Sequence, residues 1–280
     1  MKRILMILTL SFGAVFAWGQ TAKVLLVSDI DDTIKVSHVL STIGKFGRAA
    51  DVTTPFLGMA ALYQLIINEN PANTKIVYLS NAPDEVAGIP ALRISHQTFL
   101  DRNHFPKGSL LLRDGLFEQD HKIKELRLLI ESEKPDVLIL LGDNGEKDIL
   151  IYDQIVSEYA GLTRMKILTF IHQLYATEKS FLVPDFLSEI GLKIKPQQVG
   201  FVTPVEIGLK LNEQHLLSRK SLEWMYKNII PRIVSESSSL WDGFEPISFP
   251  SFKKCQDFRW IFATPAPVLS LVHKIERECN

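Results

Sequence analysis

Short aliphatic runs alternate with longer amphipathic segments along most of the first 175 residues, and this alternation constrains the fold more than any other feature. Four runs have the β-branched and aliphatic content of buried strands: KVLLVSD (23–29), KIVYLSN (75–81), DVLILLGD (136–143) and MKILTFIH (165–172). Helical patterns cover 58–68, 85–102, 120–133 and 147–159, and SLLLRDG (109–115) predicts a short edge strand. The sequence therefore predicts an α/β fold, with a Rossmann-like parallel sheet covered by helices on both faces.

The pattern changes at about residue 177. Prolines interrupt the remainder of the chain, and helical periodicity is clear only over about 205–217 and 219–234. We therefore expect a core domain over 20–176, followed by a mostly helical C-terminal extension over 177–280.

The N-terminus has the features of a secretory signal peptide. It begins with two basic residues, continues with an apolar run from Ile4 to Phe16, and has small residues just before Gln20. These features predict a signal peptide over 1–19 and an exported protein, periplasmic or secreted. The apolar run is short for a membrane span, so an uncleaved anchor is the less favoured alternative.

The charge balance argues against one class of partner. The formal net charge is −1, and no basic stripe of the kind that binds nucleic acid is present. The sequence also indicates no obligate protein partner.

The only two cysteines are Cys255 and Cys279. Outside the cytoplasm they could form one disulfide, and two free thiols are an equally good interpretation. No paired Cys/His spacing accompanies them, so they do not indicate a metal site.

Polar residues follow three of the predicted strands. DIDDT (29–33) follows the first, Ser80 and Asn81 end the second, and GDN (142–144) ends the third, which is preceded by the lysine-bearing helix HKIKELRLLI. Because ligands bind at the carboxyl ends of strands in open α/β sheets, we expect these groups to converge there.

Such a set of groups can perform phosphoryl transfer. Crowded carboxylates need a cation, and oxygen ligands suit Mg²⁺. One carboxylate can attack phosphorus and form an aspartyl-phosphate, and another, two residues further on, can protonate the leaving oxygen and later activate water. Ser80, the Asn81 amide and a lysine could hold the phosphoryl oxygens. The sequence therefore predicts a Mg²⁺-dependent phosphatase.

These motifs carry a family resemblance. DIDDTI, SN, the helix lysine and GDNGEKD resemble the four motifs of the haloacid-dehalogenase-like phosphatases. More closely, the chain is similar to the phosphatidate phosphatase catalytic domain of the fungal actin-patch type, which is related to the lipins. The similarity covers about 24–175 and includes TPFLGMAALY (54–63), IVYLSNAP (76–83), HFPKGSLLLRD (104–114) and the block 121–152.

The resemblance implies roles for four aspartates. Asp29 would be the nucleophile and Asp31 the acid/base. Asp29, the backbone carbonyl of Asp31 and Asp143 would bind Mg²⁺, and Asp148 would support the metal or its waters.

The resemblance also implies a phosphate-binding set of Ser80 and Lys122, to which the strand-end pattern adds Asn81. Lys122 is preferred to Lys124 because family members place the lysine directly after a histidine, here His121.

Several neighbouring residues have simpler interpretations. Asp32 is expected to cap the following turn rather than bind metal, and Thr33 and Asn144 are expected to support the site or the fold. His104 and Arg113 flank the FPKG segment and could touch substrate, although the surface is the more common place for both residue types.

The segment from Trp241 to Phe262 contains seven aromatic residues and three basic ones. Such a mixture could make transient contact with a membrane surface and present a lipid headgroup. The favoured interpretation is that these rings pack the extension onto the core.

Phosphatidate or a related lipid phosphate monoester is the expected substrate. One alternative is an exported phosphatase for soluble phosphomonoesters, which would use the same residues. Another is a non-catalytic module that binds lipid phosphate, which is disfavoured because a binder needs neither a nucleophile nor an acid/base.

Overall fold

The computed structural model describes residues 22–40, 52–86, 88–115, 120–178, 190–236, 240–242, 245–247 and 255–279. The predicted signal peptide lies outside the described residues. Within these ranges, no helix has the length and apolar character needed to cross a membrane.

The centre of the molecule is a six-stranded parallel sheet. Its strands are β1 (Val24–Ser28), β2 (Thr74–Pro83), β3 (Ser109–Arg113), β4 (Val137–Asp143), β5 (Lys166–His172) and β6 (Val199–Phe201). Their spatial order is β3-β2-β1-β4-β5-β6, and every neighbouring pair is parallel. The predicted parallel sheet is confirmed, β3 forms its predicted edge, and β6 is an additional strand.

The two central strands are buried on both faces, as their unbroken aliphatic sequences predict. Every residue of β1 and β4 is buried. Alternate side chains point to opposite faces, so Leu26 and Ile139 join one hydrophobic cluster while Leu25 and Leu138 join another.

Helices cover both faces of the sheet. They are α1 (Met59–Glu69), α2 (Ala91–Arg102), α3 (His121–Glu133), α4 (Asp148–Tyr159), α5 (Pro204–Glu213), α6 (Arg219–Asn228), α7 (Ile230–Ser235) and α8 (Leu269–Cys279). Residues of α1, α2 and α5 pack in the first cluster, and residues of α3 and α4 pack in the second. A short antiparallel pair, β7 (Leu240–Asp242) and β8 (Glu245–Ile247), lies apart from the main sheet.

One helix starts later than its sequence pattern indicates. The helix predicted over 85–102 begins only at Ala91. Val86 and Ile89 exchange backbone hydrogen bonds in a tight turn, and Pro90 immediately precedes the first helical residue. The residue before a proline, here Ile89, disfavours helical backbone, so the helix starts only after Pro90.

Two helices of the extension also differ from their predicted ranges. The helix predicted over 219–234 is divided into α6 and α7, with Pro231 in the first turn of α7, where its missing amide N–H costs no hydrogen bond. The helix predicted over 205–217 ends at Glu213.

The extension shares the sheet and the core. It supplies β6, and Phe201, Val205 and Leu271 are buried in the same cluster as Leu26 of β1. The predicted domain boundary at residue 176 therefore lies between two neighbouring strands of one sheet, and as a boundary it stays a prediction.

The two cysteines form a disulfide that ties the end of α8 to residue 255. Phe258 and Phe262 are buried in the core, which agrees with packing as the role of the aromatic segment. Only the backbone of Trp241 is described, and Phe244, Phe249 and Phe252 lie outside the described residues.

Candidate active site

The polar residues that follow β1, β2 and β4 meet at one edge of the sheet. Ser28, the last residue of β1, pairs with Tyr78 of β2 and with Leu141 of β4. The next amide, that of Asp29, donates to the Leu141 carbonyl at 2.9 Å. Asp29 therefore starts a loop at the carboxyl end of the sheet, where parallel α/β folds bind ligands.

The loop after β1 is held by its own backbone and by Asp32. The carboxylate of Asp32 accepts hydrogen bonds from the amides of Ser37, His38 and Val39 at 2.8–2.9 Å and from the Tyr175 hydroxyl at 2.5 Å. Asp32 itself has a left-handed backbone conformation, with φ of 58°. The prediction that Asp32 holds the turn is confirmed.

Lys122 lies inside the site. It sits in the first turn of α3, and its fully buried Nζ donates to Oδ1 of Asp29 at 2.7 Å and to Oδ1 of Asp148 at 2.6 Å. Thr33 donates to the other oxygen of Asp29 at 3.1 Å. Both oxygens of the Asp29 carboxylate are thereby oriented.

Three buried carboxylates form a compact oxygen cluster. Asp29, Asp143 and Asp148 each offer an oxygen, and these oxygens lie within 4.8 Å of one another. Oδ1 of Asp143 accepts from the amides of Gly145 and Glu146 at 2.6 and 3.1 Å. The Oδ2 atoms of Asp143 and Asp148 are buried, and no described residue donates a hydrogen bond to them.

This cluster fits a divalent cation. When all three carboxylates are ionised, they exceed the single ammonium by two negative charges, and among the described residues two of their oxygens have no hydrogen-bond donor. Hard oxygen ligands of this kind suit Mg²⁺ or a similar ion. Asp29, Asp143 and Asp148 are the side chains that could hold it.

The charge states follow from burial and mutual repulsion. Burial, Asp148 and Asp29 together raise the pKa of Asp143 well above its ordinary value. Burial also raises the pKa of Asp29 and Asp148, although Lys122 opposes the shift. Burial lowers the pKa of Lys122, but Asp148 and Asp29 outweigh it and raise that pKa, so the ammonium keeps its proton.

The side chain of Asp31 has a separate set of partners. Its Oδ1 accepts from the Ser37 hydroxyl at 2.6 Å and lies 3.6 Å from Nζ of Lys35, while its Oδ2 lies 3.3 Å from Nε2 of His96. Burial alone would raise the pKa of Asp31. The combined effect of His96, Lys35 and Ser37 is larger and opposite, so the pKa of Asp31 lies well below its ordinary value. Asp31 is therefore a carboxylate in this structure.

Lys35 and His96 did not emerge from the sequence. Lys35 lies four residues after Asp31 in DIDDTIK, so its proximity to the motif was a usable signal. His96 lies in the middle of α2, and no local pattern connects it to the loop after β1.

Ser80 and Asn81 lie at the same edge, at the end of β2. Ser80 is buried, and its hydroxyl accepts from the Ala82 amide at 3.0 Å. The Asn81 amide donates to Glu146 at 3.2 Å, which connects β2 to the loop after β4. Contact of these residues with a phosphate stays a prediction.

The remaining predicted residues are structural or peripheral. The Asn144 side chain accepts from the amides of Leu174 and Tyr175 and donates to the Tyr175 carbonyl, so it ties the loop after β4 to the chain after β5. His104 is exposed, and the half-buried Arg113 ends β3.

Comparison with known proteins gives one match. The model of the family described as phosphatidate phosphatase APP1, catalytic domain, matches residues 24–168, just over half of the 280-residue chain. Neither a curated protein nor a solved structure matches the chain significantly. The matched segment contains every residue of the carboxylate cluster, together with Lys122, Asp31, Ser80 and Asn81. The chain therefore belongs to the family of phosphatidate phosphatase APP1 catalytic domains.

Proposed function

We propose that this protein is a Mg²⁺-dependent phosphatase that hydrolyses phosphatidate or a related lipid phosphate monoester through an aspartyl-phosphate intermediate. The observation that carries the proposal is the buried cluster of Asp29, Asp143 and Asp148 around Lys122, at the carboxyl edge of the sheet. The substrate class rests on the description of the family.

Asp29 is the nucleophile in this proposal. One of its carboxylate oxygens forms a bond to phosphorus while the bond from phosphorus to the ester oxygen breaks. Lys122 and Thr33 fix the direction of the carboxylate before the reaction begins. Holding a reacting group in its productive geometry removes much of the entropic part of the barrier.

Asp31 transfers the proton in both half-reactions. It donates a proton to the departing ester oxygen, which leaves as an alcohol, and then accepts a proton from the water that attacks the aspartyl-phosphate. Inorganic phosphate and free Asp29 result. Because the resting Asp31 is a carboxylate, the proton that it passes to the ester oxygen would come from the substrate itself, whose phosphate group carries one proton when it binds as the monoanion.

Asp29, Asp143 and Asp148 would hold the metal ion, with the backbone carbonyl of Asp31 as the further ligand that the family resemblance implies. A bound Mg²⁺ would supply positive charge beside the phosphoryl group. Lys122, Ser80 and Asn81 would bind the phosphoryl oxygens, where charge is concentrated in the transition state.

Export to the periplasm or the exterior is part of the proposal. The predicted signal peptide supports it, and so does the disulfide between Cys255 and Cys279, because disulfides persist mainly in oxidising compartments.

Transient contact with a membrane surface also belongs to it. Between the buried Phe258 and Phe262, the side chains of Arg259 and Ile261 are exposed. An exposed apolar residue beside a basic one suits the interface of an anionic membrane.

A substrate panel tests the proposal. Purified protein is assayed for phosphate release from phosphatidate in detergent micelles, from glycerol 3-phosphate and from a nucleoside monophosphate, with Mg²⁺ and with EDTA. The expected result is the highest rate on phosphatidate and none with EDTA. Equal or higher rates on the soluble esters would favour a phosphatase for soluble phosphomonoesters. An absence of turnover on every ester would favour the non-catalytic module that binds lipid phosphate.

A further inference from the structure

Both carboxylate oxygens of Asp31 are contacted by side chains that have no role in the proposed mechanism. Ser37 and Lys35 approach Oδ1, and His96 approaches Oδ2. Asp31 is only two residues from Asp29, yet its side chain is not part of the carboxylate cluster. Something must keep this nearby carboxylate from joining the cluster and its cation.

His96 reaches Asp31 from a different part of the fold. It is 2% exposed and lies on the buried face of α2, which it shares with Phe99 and Leu100. Residues three and four positions apart lie on the same side of a helix, so the packing of the two apolar residues fixes where the imidazole points.

Lys35 is held in place from within the loop. Its amide donates to the Ile30 carbonyl at 2.9 Å, its carbonyl accepts from the Asp32 amide at 2.7 Å, and its side chain is fully buried. Burying an ammonium group is costly unless negative charge lies nearby. The buried ammonium of Lys35 therefore needs a negative charge beside it, whereas an apolar residue of similar size could fill the same space without one.

We propose that His96 and Lys35 are positioning residues that hold the Asp31 carboxylate away from the metal-binding carboxylates and aim it at the ester oxygen of the substrate. This inference rests on the proposed function and deepens it. It assigns to α2 and to the loop after β1 the task of keeping the proton-transferring carboxylate separate from the nucleophile's cluster.

The dependence of rate on the leaving group distinguishes this role from a structural one. An alkyl alcohol is a poor leaving group and needs a proton as it departs, whereas 4-nitrophenolate leaves readily without one. The ratio kcat/KM reports the steps up to departure of the alcohol. Loss of Asp31 positioning should therefore lower kcat/KM far more for an alkyl phosphate than for 4-nitrophenyl phosphate.

The experiment compares kcat/KM on these two esters for the wild type, His96→Ala, His96→Gln and Lys35→Met. Well-placed acid–base catalysis contributes about 10²–10⁴-fold, so a misaligned Asp31 should cost roughly 10–100-fold on the alkyl ester and only a few-fold on the aryl ester. The alkyl ester is phosphatidate, or glycerol 3-phosphate if the substrate panel favours soluble esters.

Two variants separate positioning from loss of structure. Nε2 of His96 lies 3.3 Å from Oδ2 of Asp31 and makes no hydrogen bond to any described residue. The amide of His96→Gln would place a polar group at about the same position, so this variant should recover part of the alkyl rate. Gln97→Ala is the matched control, since Gln97 lies next on α2, is exposed, and donates a hydrogen bond to Asp101 on the same helix. It should leave both rates unchanged.

The positioning role would be overturned if His96→Ala lost the same factor of kcat/KM on both esters. It would also be overturned if this variant kept wild-type rates on both, or if His96→Gln failed to improve on His96→Ala. The proposed function fails differently, by turnover that survives Asp29→Asn, or by an absence of turnover in the wild type, which would overturn the positioning role as well.

Discussion

The ammonium of Lys122 lies 2.7 Å from Oδ1 of Asp29, and neither side chain is more than 3% exposed. The same ammonium contacts Asp148 at 2.6 Å. Lys122 thus pairs with two of the three carboxylates of the cluster. It stabilises the cluster before any phosphate arrives and is already placed beside the proposed nucleophile.

Replacement of Lys122 by Met should affect stability and activity together. Removing one partner of a buried ion pair costs about 3–5 kcal/mol, because the remaining charges stay buried without compensation. We expect a large loss of unfolding free energy in EDTA, partial recovery with Mg²⁺, and phosphatase activity at least ~10²-fold lower. Urea unfolding with and without Mg²⁺ measures the first two effects. Unchanged stability of Lys122→Met in EDTA would contradict the ion-pair role. Lys124→Met, which removes an exposed lysine from the same helix, is the control variant.

Asp143→Asn should separate metal binding from stability. Burial and the neighbouring carboxylates make the Asp143 charge unfavourable, so its removal should leave the metal-free protein as stable as the wild type or more stable. Mg²⁺ at a hundred times its dissociation constant stabilises a protein by about 2.7 kcal/mol, and this gain should shrink markedly in the variant. Thermal unfolding across a Mg²⁺ titration measures both quantities. The exposed Glu131→Gln serves as control, and an undiminished Mg²⁺ response in Asp143→Asn would exclude Asp143 as a ligand.

Gly142 is required by the close approach of Asp148. A Cβ at position 142 would lie 2.5 Å from Oδ2 and 2.6 Å from Cβ of Asp148. Gly142→Ala must therefore displace Asp148, at a cost of about 1–3 kcal/mol. We expect weaker Mg²⁺ binding and lower activity, measured by the same titration and by phosphate release. Wild-type Mg²⁺ affinity in this variant would show that Asp148 does not support the metal.

Glu206 should make stability depend on pH. Burial raises its pKa from 4.5 to about 7, against the opposing hydrogen bonds from Thr203 and Val202. The folded-state pKa of Glu206 lies above the unfolded-state pKa. The contribution of protonated Glu206 to the free energy of unfolding is therefore fully present below pH 4.5 and is lost as pH rises through 7. The shift corresponds to about 3 kcal/mol. The test is urea unfolding of the wild type and of Glu206→Gln between about pH 4 and pH 8. The difference between their free energies of unfolding should change by about 3 kcal/mol over this range. A constant difference would contradict the assignment.

The sheet and most of the site could be predicted from short-range patterns. Aliphatic runs define β1, β2, β4 and β5, and the polar residues at their ends meet because the carboxyl ends of parallel strands share one edge. The carboxylate cluster follows from two such segments, since Asp29 lies after β1 and both Asp143 and Asp148 lie at or after the end of β4. β6 has only three residues, too few for a periodic pattern, and its place is decided by pairing with β5.

The surroundings of Asp31 required the tertiary structure. His96 is 65 positions away along the chain, and its approach depends on where α2 starts. That start is set by the turn before Pro90, which the helical pattern over 85–102 concealed. The disulfide likewise depends on how α8 folds back, since spacing alone left two thiols equally plausible.

The most direct test is to identify the phosphorylated residue. Protein mixed with phosphatidate carrying a radiolabelled phosphate is quenched in acid within a single turnover and digested, and the labelled peptide is identified. The result we predict is label on Asp29 in the wild type, with no label and no phosphate release in Asp29→Asn. Label on another residue, or phosphate release that continues in Asp29→Asn, would contradict the proposal that Asp29 is the nucleophile.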